Sequence, residues 1–309
     1  MGGFIMRLFP AFAALLLTAL PVLADPVLRH RQVAPNVHAL IGPTVQRDPE
    51  NLGNNANFGL IVTPEGAVLI DAGATLKGAE MIHDMVRAIT EQPVVYVINT
   101  GGQDHRWLGN EYWQAQGATV IASGDAVADQ RARGSMQMTA LSQLVGAASS
   151  GTMPAFADIT FEDRHSLTLG DTEIRIIHPG PAHTPGDSFV WLPDSRTVFT
   201  GDIVYVDRVL GVMEFSNSAA WLAAFDAVAA LDPVHVVPGH GPVTDLATAT
   251  RDTRDYLSNL RDRMRAHIDA GGDIIGSVDV DQSAFADLDN FDQLAGRNAQ
   301  EVYSQMEWE

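Results

Sequence analysis

The chain has 309 residues, 46% of them hydrophobic, and a formal net charge of −19 from 19 Lys and Arg against 38 Asp and Glu. So acidic a chain is unsuited to non-specific nucleic-acid binding or to docking on anionic lipid, both of which need clustered Lys and Arg. It contains no cysteine, which excludes disulfides, thiolate nucleophiles and Cys-ligated metal, so any metal must be held by His, Asp or Glu.

Residues 1–24 form a separate unit. Arg7 is their one charge, an apolar stretch runs from Leu8 to Leu20, and Val22 and Ala24 supply small residues at positions −3 and −1 of a cleavage site. This reads as a secretory signal peptide removed before Asp25, because the apolar run is shorter than a bilayer span needs. Export of this bacterial type places the expected mature protein in the periplasm, free of the membrane.

Val37 to Ile41 is the first expected strand. A Gly/Asn-rich turn, Leu52 to Asn57, precedes strands Phe58 to Thr63 and Ala67 to Asp71, which Pro64-Glu65-Gly66 joins tightly. Met81, Met85, Val86 and Ile89 fall on one face of a helix over 77–91. The β-branched run Val94 to Ile98 is a buried strand. Helix 107–116, strand 119–122 and helix 125–145 follow, and the Gly/Ala/Ser/Pro-rich residues 146–156 read as a mobile loop. Strands then dominate, at 159–161, 166–169, 173–178, 188–192 and 197–200, before helix 219–230, strand 235–237 and a long amphipathic helix 246–270. The predicted division is a leader 1–24, a domain 25–245 and a helical extension 246–309 packed on the same domain. The predicted fold class is α/β, with two sheets packed on each other and flanked by helices. A doubly wound parallel sheet is the alternative, disfavoured by the run of strands without helices over 157–200.

Three segments share one design: an apolar strand ends in a Gly-rich turn that presents a His or an Asp. They are Ile176 to Asp187 with His183, Val198 to Asp202, and Val236 to Gly241 with His240. Glycine permits the tight turn, and the strand end holds the side chain rigidly. A catalytic zinc asks for three protein ligands of this type and an open position for water. One His after a strand is most often structural; three such turns in series point to a metal.

The series resembles the metallo-β-lactamase superfamily of hydrolases over roughly residues 30–245. Its marks are Asp71-Ala72-Gly73 after a strand-turn-strand start, a ligand-rich loop after a buried strand, His183-Thr184-Pro185-Gly186-Asp187, Gly201-Asp202 and Gly239-His240-Gly241. The resemblance implies an αβ/βα four-layer sandwich, with metal at the edge where these loops meet. Some relatives are secreted β-lactamases, and others are periplasmic proteins associated with sulfur or quinoprotein alcohol oxidation. The chain departs in the first metal loop, which in the superfamily reads His-x-His-x-Asp-His between Asn-Thr and Gly-Asn. Here Asn99-Thr100 and Gly109-Asn110 enclose Gly101-Gly102-Gln103-Asp104-His105-Arg106. Matched without a gap, Gly101 and Gln103 stand at the two leading histidines, His105 at the Asp and Arg106 at the last His. A shift of one residue pairs Asp104-His105 with Asp-His instead. His105 is a ligand candidate in both registers, Asp104 in one.

Relatives hold two metals. The donors left here, His105, His183, Asp202 and His240, suffice for one divalent ion, zinc first with iron as the alternative. Two readings of different classes follow. One is a mononuclear metallohydrolase in which the metal lowers the pKa of a water that attacks an ester, thioester or lactam carbonyl of a small-molecule substrate. Asp104 is then the catalytic candidate, as proton acceptor or metal-orienting carboxylate. The other is a catalytically inactive binding protein on the same scaffold, working with a periplasmic redox enzyme; a one-iron oxygenase is a minor third. Arg106 either puts a guanidinium where a second cation would sit or turns outward to a surface carboxylate. Trp107 and Trp113 are expected in the core, and Asn54 to Asn57 as a plain turn. No protein partner is legible.

Overall fold

The computed structural model describes residues 1–3 and 27–309, so the expected leader falls outside the described residues except for its first three. The first of two sheets holds β1 Arg29–Ala34, β2 Val37–Ile41, β3 Phe58–Thr63, β4 Gly66–Ile70, β5 Val94–Ile98, β6 Thr119–Ser123 and β7 Ile159–Phe161, side by side in chain order. Pairing is antiparallel from β1 to β4 and parallel from β4 to β7. The second sheet holds β8 Arg164–Leu169, β9 Thr172–Ile177, β10 Phe189–Leu192, β11 Thr197–Phe199 and β12 His235–Val237. Only β11 and β12 pair in parallel there. The helices are α1 Leu76–Ile89, α2 Asp104–Trp107, α3 Asn110–Ala115, α4 Gly124–Val145, α5 Ser218–Ala229, α6 Leu246–Ala249, α7 Tyr256–Asp269 and α8 Phe291–Met306.

Alternation along the strands produces the layers. Ile61, Val68, Ile70 and Ile98 of the first sheet meet Ile176, Val190, Phe199 and Val237 of the second. Their neighbours Leu60, Leu69 and Val97 face the other way, onto Ala79, Ile82 and Val86 of α1 and Trp113 of α3. Across the molecule, Trp191, Val198 and Val236 pack on Trp221 and Phe225 of α5 and on Tyr256, Leu257 and Leu260 of α7. The fold is the expected α/β four-layer sandwich.

Several elements differ from expectation. β1 was not foreseen: it is an edge strand whose Arg29, His30 and Arg31 are exposed, so it carries no apolar alternation. The single helix expected over 107–116 is two short ones. Between them the N–H of Gly109 donates to Gly73 O at 2.8 Å, and a Cβ there would run into Ala72 O. The helix expected over 246–270 is interrupted by a π-helical stretch, Thr250–Asp255. Within it Thr253 Oγ1 donates to Tyr205 O at 2.7 Å and accepts from Tyr205 N at 2.9 Å, while Asp252 accepts from Asp207 N at 2.9 Å. Residues 271–309 contain one helix, α8, after two 3₁₀ turns. Residues 146–156 begin with another, Gly146–Ser149. Among the described residues no helix is long and apolar enough to cross a membrane.

Candidate metal centre

The loops that leave β4, β5, β11 and β12 meet at one edge of the sandwich. One donor atom each from His105, Asp202 and His240 lies within 4.8 Å of the others, and all three residues are buried. His105 Nε2 is 3.3 Å from Asp202 Oδ2, and His240 Nε2 is 3.1 Å from Asp202 Oδ1. Asn55 O lies 2.9 Å from His240 Nδ1; a carbonyl only accepts, so Nδ1 carries the proton. Burial holds His240 well below the usual imidazole range, and the ring is neutral. Its Nε2 therefore turns a lone pair toward a carboxylate oxygen and has no hydrogen-bond partner. Two lone-pair atoms that close repel each other, and a cation between them removes the repulsion. Two imidazole nitrogens and a carboxylate are also a donor set that zinc or iron accepts.

His183 lines the same cavity but stands outside the group of three. Its Nδ1–H donates to Gly211 O at 2.9 Å, and burial pushes the imidazole down to about 4. Asp104 faces elsewhere. Its carboxylate accepts from Arg47 Nη2 at 2.6 Å and from His105 N at 2.8 Å, it is 6% exposed, and it does not line the cavity. Although its burial works the other way, the Arg47 charge holds the carboxyl well below its ordinary value. This geometry departs from a proton acceptor in the cavity. What Asp104 does reach is His105 Nδ1, at 3.2 Å, which also lies 3.0 Å from Arg47 Nη2.

Arg106 turns inward, not to the surface. It is fully buried and sits beneath Asp202, outside the cavity wall. Its Nη2 donates to Asp202 Oδ1 at 2.7 Å and its Nε to Oδ2 at 3.3 Å, a two-point grip on one carboxylate. Its Nη1 donates to Asp71 Oδ2 at 2.8 Å and to Asn57 O at 3.0 Å, and Nη2 also reaches Gly239 O at 3.3 Å. One guanidinium thus ties four loops together and holds Asp202 far below its ordinary pKa against the penalty of burial. Asp71, in the left-handed region at φ 67°, also accepts from Thr100 N at 2.7 Å. Burial pushes the Asp71 carboxyl up from its ordinary value, against the pull of the Arg106 charge, so Asp202 is the carboxylate that the guanidinium holds ionised.

The cavity has a volume of about 130 Å³. Of the seven buried side-chain polar atoms without a partner among the described residues, five belong to its wall: His240 Nε2, Gln103 Oε1, Asn55 Oδ1, Arg47 Nε and Arg208 Nε. Buried polar groups in a folded protein are normally satisfied, so orphans gathered at one cavity mark a place built for something else to bind.

The family model for the metallo-β-lactamase superfamily matches residues 52–240, from the turn before β3 to the histidine after β12. The chain belongs to the metallo-β-lactamase superfamily. It is similar to the metallo-β-lactamase type 2 of Elizabethkingia meningoseptica, with 24% identity over 68% of this chain and 78% of that one. Among solved structures, a metallo-β-lactamase from Pontibacter korlensis superposes with a TM-score of 0.62 at 22% identity, covering 75% of this chain and 99% of that one. The DIM-1 metallo-β-lactamase follows at 0.59 and 18%, covering 75% of this chain and 98% of its own. This superfamily of hydrolases typically binds metal ions, and the buried His/Asp group lies where its loops converge.

Against that superfamily pattern, the loss at Gly101 is built into the packing. A Cβ there would collide with Asp187 Oδ1 and stand 3.4 Å from Thr184 Oγ1. Asp187 accepts from Thr184 N at 2.8 Å, and its Oδ1 is in close contact with Thr184 Oγ1. Burial, with the nearby Asp202 charge adding to it, pushes the Asp187 carboxyl up to about 8. A carboxyl raised on folding binds its proton more tightly than in the unfolded chain. Its contribution to stability is full below the unfolded value and is lost as pH rises through the folded one. Asp187→Asn preserves the shape and hydrogen bonds of the protonated form. Wild type is therefore expected to lose several degrees of melting temperature between about pH 4 and about pH 8, and the variant much less. Parallel melting curves across that range would show that the carboxyl is ionised.

Sequence reasoning missed the supports. Arg47 and Asn55 carry no motif, and Asn54 to Asn57 is more than the expected plain turn. Asn57 Nδ2 in fact donates to Pro238 O at 2.8 Å and to Gly241 O at 2.7 Å, bracing the turn that carries His240. The Asn-rich composition was the available signal. His178 lies apart from His183, with Nδ1 at 2.7 Å from Asp187 O. Trp107 and Trp113 are core residues, as expected.

Proposed function

We propose that this chain is a secreted hydrolase that holds one divalent metal, zinc first and iron as the alternative, on His105, Asp202 and His240. His183 lines the same cavity. The observation that carries this reading is His240 Nε2, buried and unpartnered 3.1 Å from Asp202 Oδ1 at the cavity wall. When bound, the ion supplies an acidified water and a Lewis acid for a carbonyl.

The chain's own residues do the rest. Hydrogen bonds from Nδ1 to Asn55 O and Gly211 O fix the tautomers of His240 and His183, leaving each Nε2 as an acceptor. Arg106 holds Asp202 ionised and oriented, and Asp104 with Arg47 sets the ring of His105. The reaction adds water across an ester, thioester or lactam: the water oxygen bonds to the carbonyl carbon, the C–O, C–S or C–N bond breaks, and the proton leaves with the alcohol, thiol or amine. A cavity of about 130 Å³ is small beside the roughly 300 Å³ lower bound for drug-sized ligands, which favours a small substrate.

Elemental analysis of protein purified without added metal or a His-tag tests this. The expected result is about one equivalent of zinc or iron, with metal affinity at least ~100-fold lower in His240→Ala, beyond the cost of losing an outer partner of a ligand. No metal, even after incubation with zinc, would sink the hydrolase. Gly101 and Gln103 at the histidine positions would then favour the second reading, a binding protein serving a periplasmic redox enzyme. Export follows from reading residues 1–24 as a signal peptide, and a mature N-terminus at Asp25 is the check.

A further inference from the structure

Charge is spread along most of this chain, and the C-terminal half of α4 with the loop after it is the exception. Charged residues make up 18% of the sequence, yet none occurs from Gly134 to Ala157, and no other uncharged stretch is as long. The inner face of α4 is committed. Leu141 and Val145 are buried with Trp107, and Gln137 Nε2 donates to Gly102 O at 2.8 Å. The outer face is apolar as well. Ala132, Met136, Ala140 and Leu144 recur every fourth residue and form one ridge along it. All four are exposed, Met136 by 53% and Leu144 by 39%. A helix with apolar residues on both faces has two faces to cover. The polar side chains beside the ridge ask little of water. Thr139 Oγ1 donates to Ser135 O at 2.9 Å and Ser142 Oγ to Thr139 O at 2.8 Å, so both hydroxyls donate within their own helix.

We infer that this ridge is where two copies of the chain join, α4 against α4 across a two-fold axis. Charge selects the partner. Two copies that each carry −19 repel, and they meet at least cost where neither presents a carboxylate. The other run of exposed apolar residues, Ile274, Ile275 and Val278, lies between Asp273 and Asp279 and would bring acid against acid. The ridge is also self-complementary, as a two-fold contact requires. An antiparallel copy centred on Met138 sets Met136 of each chain against Ala140 of the other and Leu144 against Ala132, a long side chain facing a small one at every step. The same register carries Arg131 of each chain to the C-terminal turn of the other α4. The Arg131 guanidinium lies over the Phe156 ring at 4.0 Å and pairs with no carboxylate among the described residues. The last turn of α4 contains no basic residue of its own, and its carbonyls favour a cation.

Light scattering on the purified protein across a concentration series reads the association. The expected mass is that of two chains, falling toward one on dilution. Added salt should tighten the dimer, because it screens the repulsion between acidic copies. Met136→Lys and Ala140→Glu should each weaken association at least ~100-fold alone, since the two-fold sets like charges together. Mixed in equal amounts, the two variants should recover most of it, because the register then faces the new cation with the new carboxylate. Both positions are exposed, so the melting curve and metal content of each variant should match wild type. Ile275→Lys should leave the dimer unchanged. A protein that stays monomeric at every concentration overturns the proposal. So does a dimer that Met136→Lys does not weaken, or one that Ile275→Lys breaks. Failure of the mixture to recover, with both variants folded, overturns the two-fold register.

Discussion

Replacing Arg106 with methionine is expected to lower folding stability by about 3–5 kcal/mol. The guanidinium is fully buried and is the direct counter-charge of Asp71 and Asp202, at 2.8 and 2.7 Å. Methionine matches much of its volume and removes the charge, so the loss is electrostatic: Asp71 and Asp202 remain in the interior without their counter-charge. It also unties Asn57 O and Gly239 O, and with them two of the four loops that place the centre. Adding Asp71→Asn should recover part of the loss, because one uncompensated charge disappears and Asn tolerates the left-handed backbone that Asp71 adopts at φ 67°. Denaturant unfolding of the single and double variants measures both terms. A loss below about 1 kcal/mol for Arg106→Met would mean that the carboxylates are not both ionised in the folded protein.

Restoring the two leading histidines, Gly101→His with Gln103→His, is expected to cost about 3 kcal/mol or more without raising the metal content above that of wild type. The obstacle is at Gly101. Any Cβ there meets Asp187 Oδ1, and Asp187 is locked by two contacts with Thr184, so neither can give way. Gln103 lines the cavity, and Gln103→His alone should fold with a much smaller penalty. Melting curves and elemental analysis of the three variants separate the effects. A double variant as stable as wild type that takes up a second metal would show that the loop has lost only its ligands and kept the space for them.

Some of this architecture was readable along the chain because its causes are local. Strand alternation in Phe58 to Thr63 and Val94 to Ile98 encodes which face is buried, since successive side chains must point to opposite sides. The Gly-rich turns after β11 and β12 announce Asp202 and His240 because a side chain at a strand end followed by a permissive backbone is a property of adjacent residues. Two sheets flanked by helices followed from the order of strands and helices, and the family resemblance implied the four-layer sandwich. β1 escaped because its exposed charges erase the alternation, and the π-helical stretch at Thr250–Asp255 escaped because hydrogen bonds from Tyr205 and Asp207 shape it. The supports of the centre were hidden for the same reason. Arg47, Asn55 and Asn57 act on atoms distant in sequence, and nothing in the residues beside them encodes that contact. Arg106 was legible as a departure from a motif, but only the packed loops decided that it points inward and holds Asp202. The sequence alone determined which donors could exist and the kind of sandwich that carries them. Tertiary structure decided which donors meet, because hydrogen bonds and charge pairs over such separations are chosen by how the loops pack and not by the residues next to them.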